Sequence, residues 1–229
     1  MEAIVLAGGL GTRLRALLPE LPKPLAPIAG RPFLEILLRH LASSGVARVV
    51  LSVGYKHEMI VAAIGSRFAG LAVDYAIEDQ PMGTGGAIRL AAASCRAAHV
   101  AVLNGDSFLE LDLRAMLAAH RAANARLTVG TAAVDDAGRY GSLIVRDGHV
   151  VGFAEKGVSG PGIINGGVYL MPRTLLEELG LPRVFSFERD VLTARLDALR
   201  PLVFPASGLF IDIGVPEDYA RAQTLLAAR

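Results

Sequence analysis

The sequence contains a single cysteine among 229 residues. Cys95 therefore has no partner for an internal disulfide, carries no covalent framework, reads as a helix residue without chemistry and suits a reducing compartment. Charge of one sign is also missing: 23 Lys+Arg face 22 Asp+Glu, a formal net charge of +1. That balance argues against a nucleic-acid partner, which would call for a broad basic surface. No long hydrophobic run occurs either. The longest uncharged stretch, Gly157 to Pro172, is too short and too rich in Gly and Pro to span a bilayer, despite a mean hydropathy of +0.44. Met1-Glu2 lacks the basic start of a secretory signal, and no internal repeat, low-complexity tract or linker is visible. What remains is plentiful apolar material: 52% hydrophobic against 20% charged residues, enough for a sizeable core and against intrinsic disorder. These features predict a cytoplasmic α/β protein, with no membrane partner and one domain across residues 1–229.

The first half alternates apolar strands with amphipathic helices. Ala3-Ile4-Val5-Leu6 reads as a buried strand ending in glycines. Leu34, Leu37, Leu38 and Leu41 form one helical stripe, stopped by Gly45 at C′. Val49 to Val53 is the next strand, followed by a helix from about Lys56 to Phe68. A strand near Val73 to Ile77, a helix near Gly86 to Ala93 and a strand at Val100 to Leu103 continue the series. Such alternation implies right-handed crossovers and a parallel sheet covered on both faces. After about Thr128 the rhythm changes. Asp147-Gly148 between two apolar runs is a strong two-residue hairpin signal. Gly167 to Leu170 reads as a strand, Ser186 to Leu199 as helical, Leu209 to Ile211 as a late strand, and Pro216 as the first residue of a final helix. This second half is expected to extend the same sheet.

Several segments carry chemistry. Leu6-Ala7-Gly8-Gly9-Leu10-Gly11-Thr12-Arg13 lies where a strand gives way to a loop, and glycines let several N–H groups converge on one anion. Taken alone, such a turn serves packing as readily as phosphate binding. It is neither a dinucleotide fingerprint, which needs glycine where Leu14 stands, nor a Walker A loop, which needs G-K-[ST]. Pro22-Lys23-Pro24 presents a lysine on a stiff, extended segment, as a cation held in a fixed place requires. An ordinary solvated lysine is the alternative. Asp106 follows a strand, where an aspartate serves equally as a turn or helix cap. The five histidines (40, 57, 99, 120 and 149) form no metal or triad spacing, and no G-x-S-x-G supports nucleophilic catalysis.

G-G-x-G-T-R followed by P-K-P resembles the signature of the sugar-1-phosphate nucleotidyltransferases, also called nucleotide-sugar pyrophosphorylases. The resemblance runs through nearly the whole chain. Glu78 to Gly86 is similar to the family's base-reading segment, Asn104-Gly105-Asp106 to its metal aspartate, and Glu155-Lys156 and Asn165-Gly166-Gly167 to its sugar-phosphate contacts. Phe210 to Tyr219 resembles its closing D-x-G-x-P segment with a second metal aspartate. Six motifs in the family's order are highly specific. Ala16-Leu17-Leu18 departs from the Pro-Leu-Thr of many members. Within the family, the segments are most similar to the guanylyltransferases of D-glycero-D-manno-heptose 1-phosphate. Mannose-1-phosphate guanylyltransferases and N-acetylmuramate-1-phosphate uridylyltransferases are the neighbouring alternatives.

The resemblance implies a Rossmann-like three-layer α/β fold whose mainly parallel central sheet is extended by a small hairpin lobe. Residues 1–127 would form the nucleotide-binding half and 128–229 the sugar-phosphate-binding half. It implies attack by a sugar 1-phosphate on the α-phosphorus of a nucleoside triphosphate, GTP by preference. The nucleophile is already anionic, since the second pKa of a phosphate monoester is about 6, so no general base is required. Leu6, Ala7, Gly8, Gly9, Gly11, Thr12 and Arg13 would hold the triphosphate. Arg13, Lys23 and Asp106 would be catalytic, with Lys23 at the α-phosphate. Gln80, Gly83, Thr84 and Gly85 would read the base, Gly83 and Gly85 by allowing close approach. Gly141, Glu155, Lys156 and Asn165 would take the sugar phosphate. Asp106 and Asp212 would hold Mg²⁺, a hard cation suited to carboxylate and phosphate oxygens. The chain stops soon after Tyr219, so a homo-oligomer would have to assemble through this domain. A non-catalytic nucleotide-sugar-binding subunit would be expected to lose Lys23 or an aspartate, and all three are present. A glycosyltransferase would normally show Asp-x-Asp where Asn104-Gly105-Asp106 stands.

Overall fold

The computed structural model describes residues 1–9, 11, 14, 17–154, 157, 159–206 and 208–228. Strand β1 (Glu2–Leu6) leads to a 3-10 turn (Lys23–Leu25), the short strands β2 (Pro27–Ile28) and β3 (Arg31–Pro32), and helix α1 (Phe33–Ser43). Strand β4 (Arg48–Val53), helix α2 (His57–Ile64), strands β5 (Arg67–Phe68) and β6 (Leu71–Ile77), and helix α3 (Gly83–Ala93) follow. Then come β7 (His99–Asn104), β8 (Ser107–Leu109), α4 (Leu113–Ala122), β9 (Thr128–Val134), β10 (Leu143–Arg146), β11 (His149–Phe153) and β12 (Gly162–Pro172). Helix α5 (Leu175–Glu178), a π-helix (Phe187–Thr193), α6 (Leu196–Leu199), β13 (Leu202–Pro205), β14 (Phe210–Asp212) and α7 (Pro216–Leu225) close the chain.

One sheet runs in the order β10-β11-β13-β9-β12-β7-β1-β4-β6-β5. Its centre, β7-β1-β4-β6, is parallel, as buried apolar runs with helical crossovers demand. β12 joins β7 antiparallel and carries the sheet on into a mixed half through β9, β13 and the β10–β11 hairpin. Successive side chains of β1 feed opposite faces. Ala3 and Val5 join the core packed by α1, α2, α4 and α7, while Ile4 joins that of α3, α5, the π-helix and α6. The result is a three-layer α/β fold. Among the described residues, no helix is long and apolar enough to cross a membrane.

Local signals behave as their chemistry requires. At the end of α1, Gly45 has φ +80°, Val46 N–H donates to Leu41 C=O and Gly45 N–H to Ala42 C=O, both at 3.1 Å. This is a Schellman stop. Asp147 and Gly148, at φ +51° and +74°, make the hairpin turn between β10 and β11.

Three expectations are corrected. The helix begun near Lys56 ends at Ile64, because Gly65 takes φ +69° and the chain turns into β5. The helical stretch from Ser186 is a π-helix and a separate single turn, with Thr193 Oγ1 donating back to Glu188 C=O at 3.0 Å. Cys95 lies just beyond α3 rather than on it, and burial pushes its thiol up to about 11.

β1 and β7 are the geometric hinge of the sheet. From β1 the chain winds outward to β4 and β6, then returns to place β7 on the other side of β1. The crossovers therefore diverge at the carboxyl ends of Leu6 and Asn104, which lie opposite each other in register. A doubly wound sheet leaves its ligand crevice at such a point.

At the opposite end, His120 is 1% exposed; its Nδ1 lies 2.7 Å from Thr128 Oγ1 and its ring packs edge-on against His99. Burial, with the nearby His99 and Arg121, pulls its pKa from 6.5 to about 4. Between those values the unfolded chain takes up a proton that the folded one refuses, so stability is lost as pH falls through this window. The full effect is about 3 kcal/mol. His120→Gln should flatten the fall in Tm between pH 7 and pH 4.5; pH profiles that run parallel to wild type would exclude this histidine as a cause.

Candidate active site

The loop after β1 needs glycine for steric reasons at two positions. A Cβ on Gly8 would lie 3.0 Å from Glu78 Oε1 and 3.1 Å from the Gly54 backbone N. Gly11 has φ +58°, and its Cβ would meet Lys23 Cβ at 2.9 Å. Gly9 has open space around it. Pro22 is extended and Pro24 buried, so the short turn begins at Lys23 and the lysine stem is pressed against Gly11. The lysine side chain is only 10% exposed, and its Nζ donates to Asp106 Oδ2 at 2.7 Å.

Asp106 follows β7 after a turn that only glycine permits. A Cβ on Gly105 would sit 2.3 Å from Leu6 C=O, the carbonyl to which Gly105 N–H donates at 3.0 Å. Asp212 arrives from far along the chain on β14, which pairs antiparallel with β8 and sets Asp212 opposite Ser107. Ile213 N–H donates to Asp106 C=O at 2.9 Å, locking the two acidic segments together. Burial and the neighbouring negative charge of Asp106 hold the Asp212 carboxyl above its usual range. Lys23 and the Gly214 N–H, which donates to Asp212 Oδ1 at 2.6 Å, partly offset this. A Cβ on Gly214 would lie 2.7 Å from Asp212 Oδ1 and 3.2 Å from Lys23 Nζ, so the ammonium stands beside both carboxylates. Among the described residues, Lys23 bonds Asp106 directly and Arg139 acts on Asp212 together with it, and the two carboxylates supply hard oxygen donors that suit a divalent ion.

The crevice has two lobes. The narrower, about 290 Å³, is lined by Gly9, Gly11, Lys23, Asn104 to Asp106, Glu188 and Gly214. The wider, about 510 Å³, is lined by Gly8, Ser52, Gly54, Tyr55, Glu78 to Pro81 and Gly83. Leu6, Gly9 and Thr84 border both, so the lobes form one groove. Leu6, Ala7, Gly8, Gly9, Gly11, Lys23, Asp106, Gln80, Gly83 and Thr84 are therefore brought together, with Asp212 beside them. Thr12, Arg13, Glu155 and Lys156 lie outside the described residues.

Other positions have different surroundings. The space above Gly85 is filled by the Phe185 ring, which a Cβ would approach to 2.1 Å, and Gly85 N–H donates to Phe185 C=O at 3.0 Å. Gly83 meets the same carbonyl, at 2.5 Å from its missing Cβ. The close approach these glycines allow is to the protein's own 183–187 segment. Thr84 does not cap α3, whose N-cap is Met82; its hydroxyl bonds Glu188. Asn165 spends its side chain internally, Nδ2 donating to Tyr169 OH at 2.8 Å and Oδ1 accepting Gly167 N–H at 3.0 Å. The bulge it starts sets Gly167, φ +72°, against Asn104 and Ser107, beneath the Asp106 turn. Gly141, at φ +80°, lines neither lobe. Its neighbour Tyr140 packs on Phe210, and Arg139 pairs with the buried Asp218, which ties this loop to the strand carrying Asp212.

Two lining carboxylates were not singled out from the sequence. Glu78 follows β6 on the same rim as Leu6 and Asn104, and the strand-end rule that marks Asp106 marks it too. Glu188 has no local signal, since its place depends on Thr84, 104 residues away.

The nucleotidyl transferase family profile matches residues 2–229. The chain belongs to this family. A D-glycero-alpha-D-manno-heptose 1-phosphate guanylyltransferase of Aneurinibacillus thermoaerophilus is 44% identical over 97% of each chain. A mannose-1-phosphate guanylyltransferase of Mycobacterium tuberculosis is 36% identical over 96% of this chain and 63% of its own length. The crystal structure of HddC from Yersinia pseudotuberculosis is 39% identical over 97% of each chain, with a TM-score of 0.86, and that protein has also been solved in complex with GMP-PN.

The fit at Gly85 is directly testable. Gly85→Ala should cost about 1–3 kcal/mol through overpacking and lower Tm by several degrees, whereas in a Phe185→Leu background the added methyl should cost less. Equal costs in both backgrounds would count against the ring as the obstacle.

Proposed function

We propose that this protein joins GTP to D-glycero-α-D-manno-heptose 1-phosphate, giving GDP-heptose and pyrophosphate, in the cytoplasm. The observation that carries the reading is the convergence of Lys23, Asp106 and Asp212 at the β1/β7 divergence. The similarity of the whole chain to a heptose 1-phosphate guanylyltransferase supports the choice of sugar. The GMP-PN complex of HddC supports the choice of nucleotide.

In this reaction an oxygen of the sugar phosphate forms a bond to the α-phosphorus while the bond to the β-phosphate oxygen breaks. The obstacle is repulsion between two anions, so charge neutralisation and in-line placement supply most of the rate. Lys23, held rigid by its prolines and by Gly11, stabilises charge building at the α-phosphate. The N–H groups of Gly8 to Thr12, together with Leu6, Ala7 and Arg13, would receive the β- and γ-phosphates. Asp106 and Asp212 would hold Mg²⁺, which supplies charge neutralisation to phosphate oxygens. Gln80, Gly83 and Thr84 border the base, with Gly85 supporting them from behind. Glu78 also lines this lobe, its carboxylate accepting from Met82 N–H at 3.0 Å and from Ser52 Oγ at 3.5 Å, which fixes the wall of the base pocket. Glu155 and Lys156 would take the sugar phosphate; Gly141 lines neither lobe and the Asn165 side chain is bonded within the protein, so neither is given a direct contact.

Pyrophosphate release measured with GTP, UTP, dTTP, CTP and ATP against heptose, mannose and N-acetylmuramate 1-phosphates tests the reading. The GTP and heptose phosphate pair should give the highest kcat/KM; a preference for UTP, or for mannose 1-phosphate, would replace it. Lys23→Ala should lower kcat by about two to three orders of magnitude with Tm little changed. Near-normal turnover in that variant would remove the lysine from its role.

A further inference from the structure

Glu188 stands in the narrower lobe with Lys23 and Asp106. It comes from the π-helix, an element that the chemistry above does not use. Its Oε2 is fixed from two sides, accepting from Thr84 Oγ1 at 2.7 Å and from Ser186 Oγ at 3.1 Å. Thr84 is itself held, because its hydroxyl oxygen accepts Phe187 N–H at 2.9 Å. Among the described residues nothing donates to Oε1, and no cation pairs with this carboxylate. A carboxylate only accepts hydrogen bonds when ionised. In a cleft that must receive phosphates, an anion that none of the described cations pairs with repels the very groups being bound. Its natural partner is the uncharged, donor-bearing part of a substrate.

We propose that Glu188 is a substrate-binding residue whose Oε1 accepts a hydrogen bond from a sugar-ring hydroxyl, with Thr84 and Ser186 positioning it. The inference rests on the proposed function, in which both substrates carry such hydroxyls: the ribose of the nucleotide and the ring of the sugar phosphate. Because Thr84 also borders the wider lobe, the contact joins the base-side wall to the chemical lobe.

Glu188→Gln separates the two jobs. The glutamine carbonyl still accepts from Thr84 and Ser186, but its NH₂ replaces the acceptor facing the cleft. Titration calorimetry with GTP and with heptose 1-phosphate reads Kd without requiring turnover, and steady-state kinetics reads KM and kcat. One substrate should lose about 10- to 100-fold in affinity, the loss of one charge-assisted hydrogen bond, with Tm retained. If the ribose is the donor, wild type should discriminate against 2′-deoxy- or 3′-deoxy-GTP and the variant should not. If the sugar phosphate is the donor, both proteins should treat those analogues alike and the loss should fall on the sugar phosphate. Thr84→Val, which removes the clamp, should give a smaller loss on the same substrate. Unchanged Kd for both substrates overturns the proposal, whether Tm falls or not. So does a raised Mg²⁺ requirement with both affinities intact, which would make Glu188 a metal ligand. A wild-type protein that binds these substrates but turns none over would instead defeat the proposed function and leave the Glu188 readout standing.

Discussion

Two carboxylates and one ammonium held at a common point are the constraint on which the site depends. Asp106 and Asp212 repel one another, and burial makes the charge on Asp212 harder still to bear. An unconstrained chain would let them drift apart. The fold prevents this with backbone rather than side-chain bonds: β8 pairs with β14, and Ile213 N–H grips the carbonyl of Asp106 itself. Gly105 lets that turn pass over Leu6, while Gly167 lets the β12 bulge sit directly beneath it. Glycines at these places are the means by which like charges are kept close, because any Cβ there would force the turn outward.

The same logic recurs on the opposite wall, where glycine lets the protein pack closely on itself. Gly83, Gly85 and Gly86 bring the first turn of α3 against the 183–187 segment, and Arg89 braces that segment by donating to Leu181 and Pro182 carbonyls at 2.7 and 2.8 Å. Arg89 also lies over the Phe185 ring. A helix N-terminus bordering the wider lobe is thereby fixed to the π-helix bordering the narrower one. The walls of the two lobes are joined by one contact, with the Thr84–Glu188 hydrogen bond at its centre.

Much of this was legible in the sequence, for identifiable reasons. The central parallel strands are buried on both faces, so they read as unbroken apolar runs, and the Gly45 stop and Asp147-Gly148 turn are local events decided by φ alone. Lys23 between prolines and Asp106 after a strand were visible because stiffness and strand ends are properties of short segments. Strands β9 and β13 were not seen: Gly130 interrupts one, Pro205 ends the other, and both depend on partners far along the chain. Gly85 reads from sequence as a place for ligand approach because a sequence does not show that Phe185 fills the space. Glu188 was invisible for the same reason, since only tertiary structure delivers it to Thr84.

The direct contact between Lys23 and Asp106 bears on how such a site changes when filled. A lysine ammonium has three donors, and in the free protein one of them is spent on Asp106 at 2.7 Å. On the proposed reading, an incoming α-phosphate offers the same ammonium a second anion. Attraction shared between two partners weakens the hold on each. Asp106, 42% exposed at the cleft, is then the group whose oxygen becomes available as the nucleotide enters. Asp212 is the less free of the two, half-buried and tied to Gly214 N–H. The pair is therefore asymmetric. On the proposed reading Asp106, held by a lysine that the phosphate also attracts, is the aspartate that changes partner, while Asp212 stays fixed by the β8–β14 ladder and Gly214 N–H.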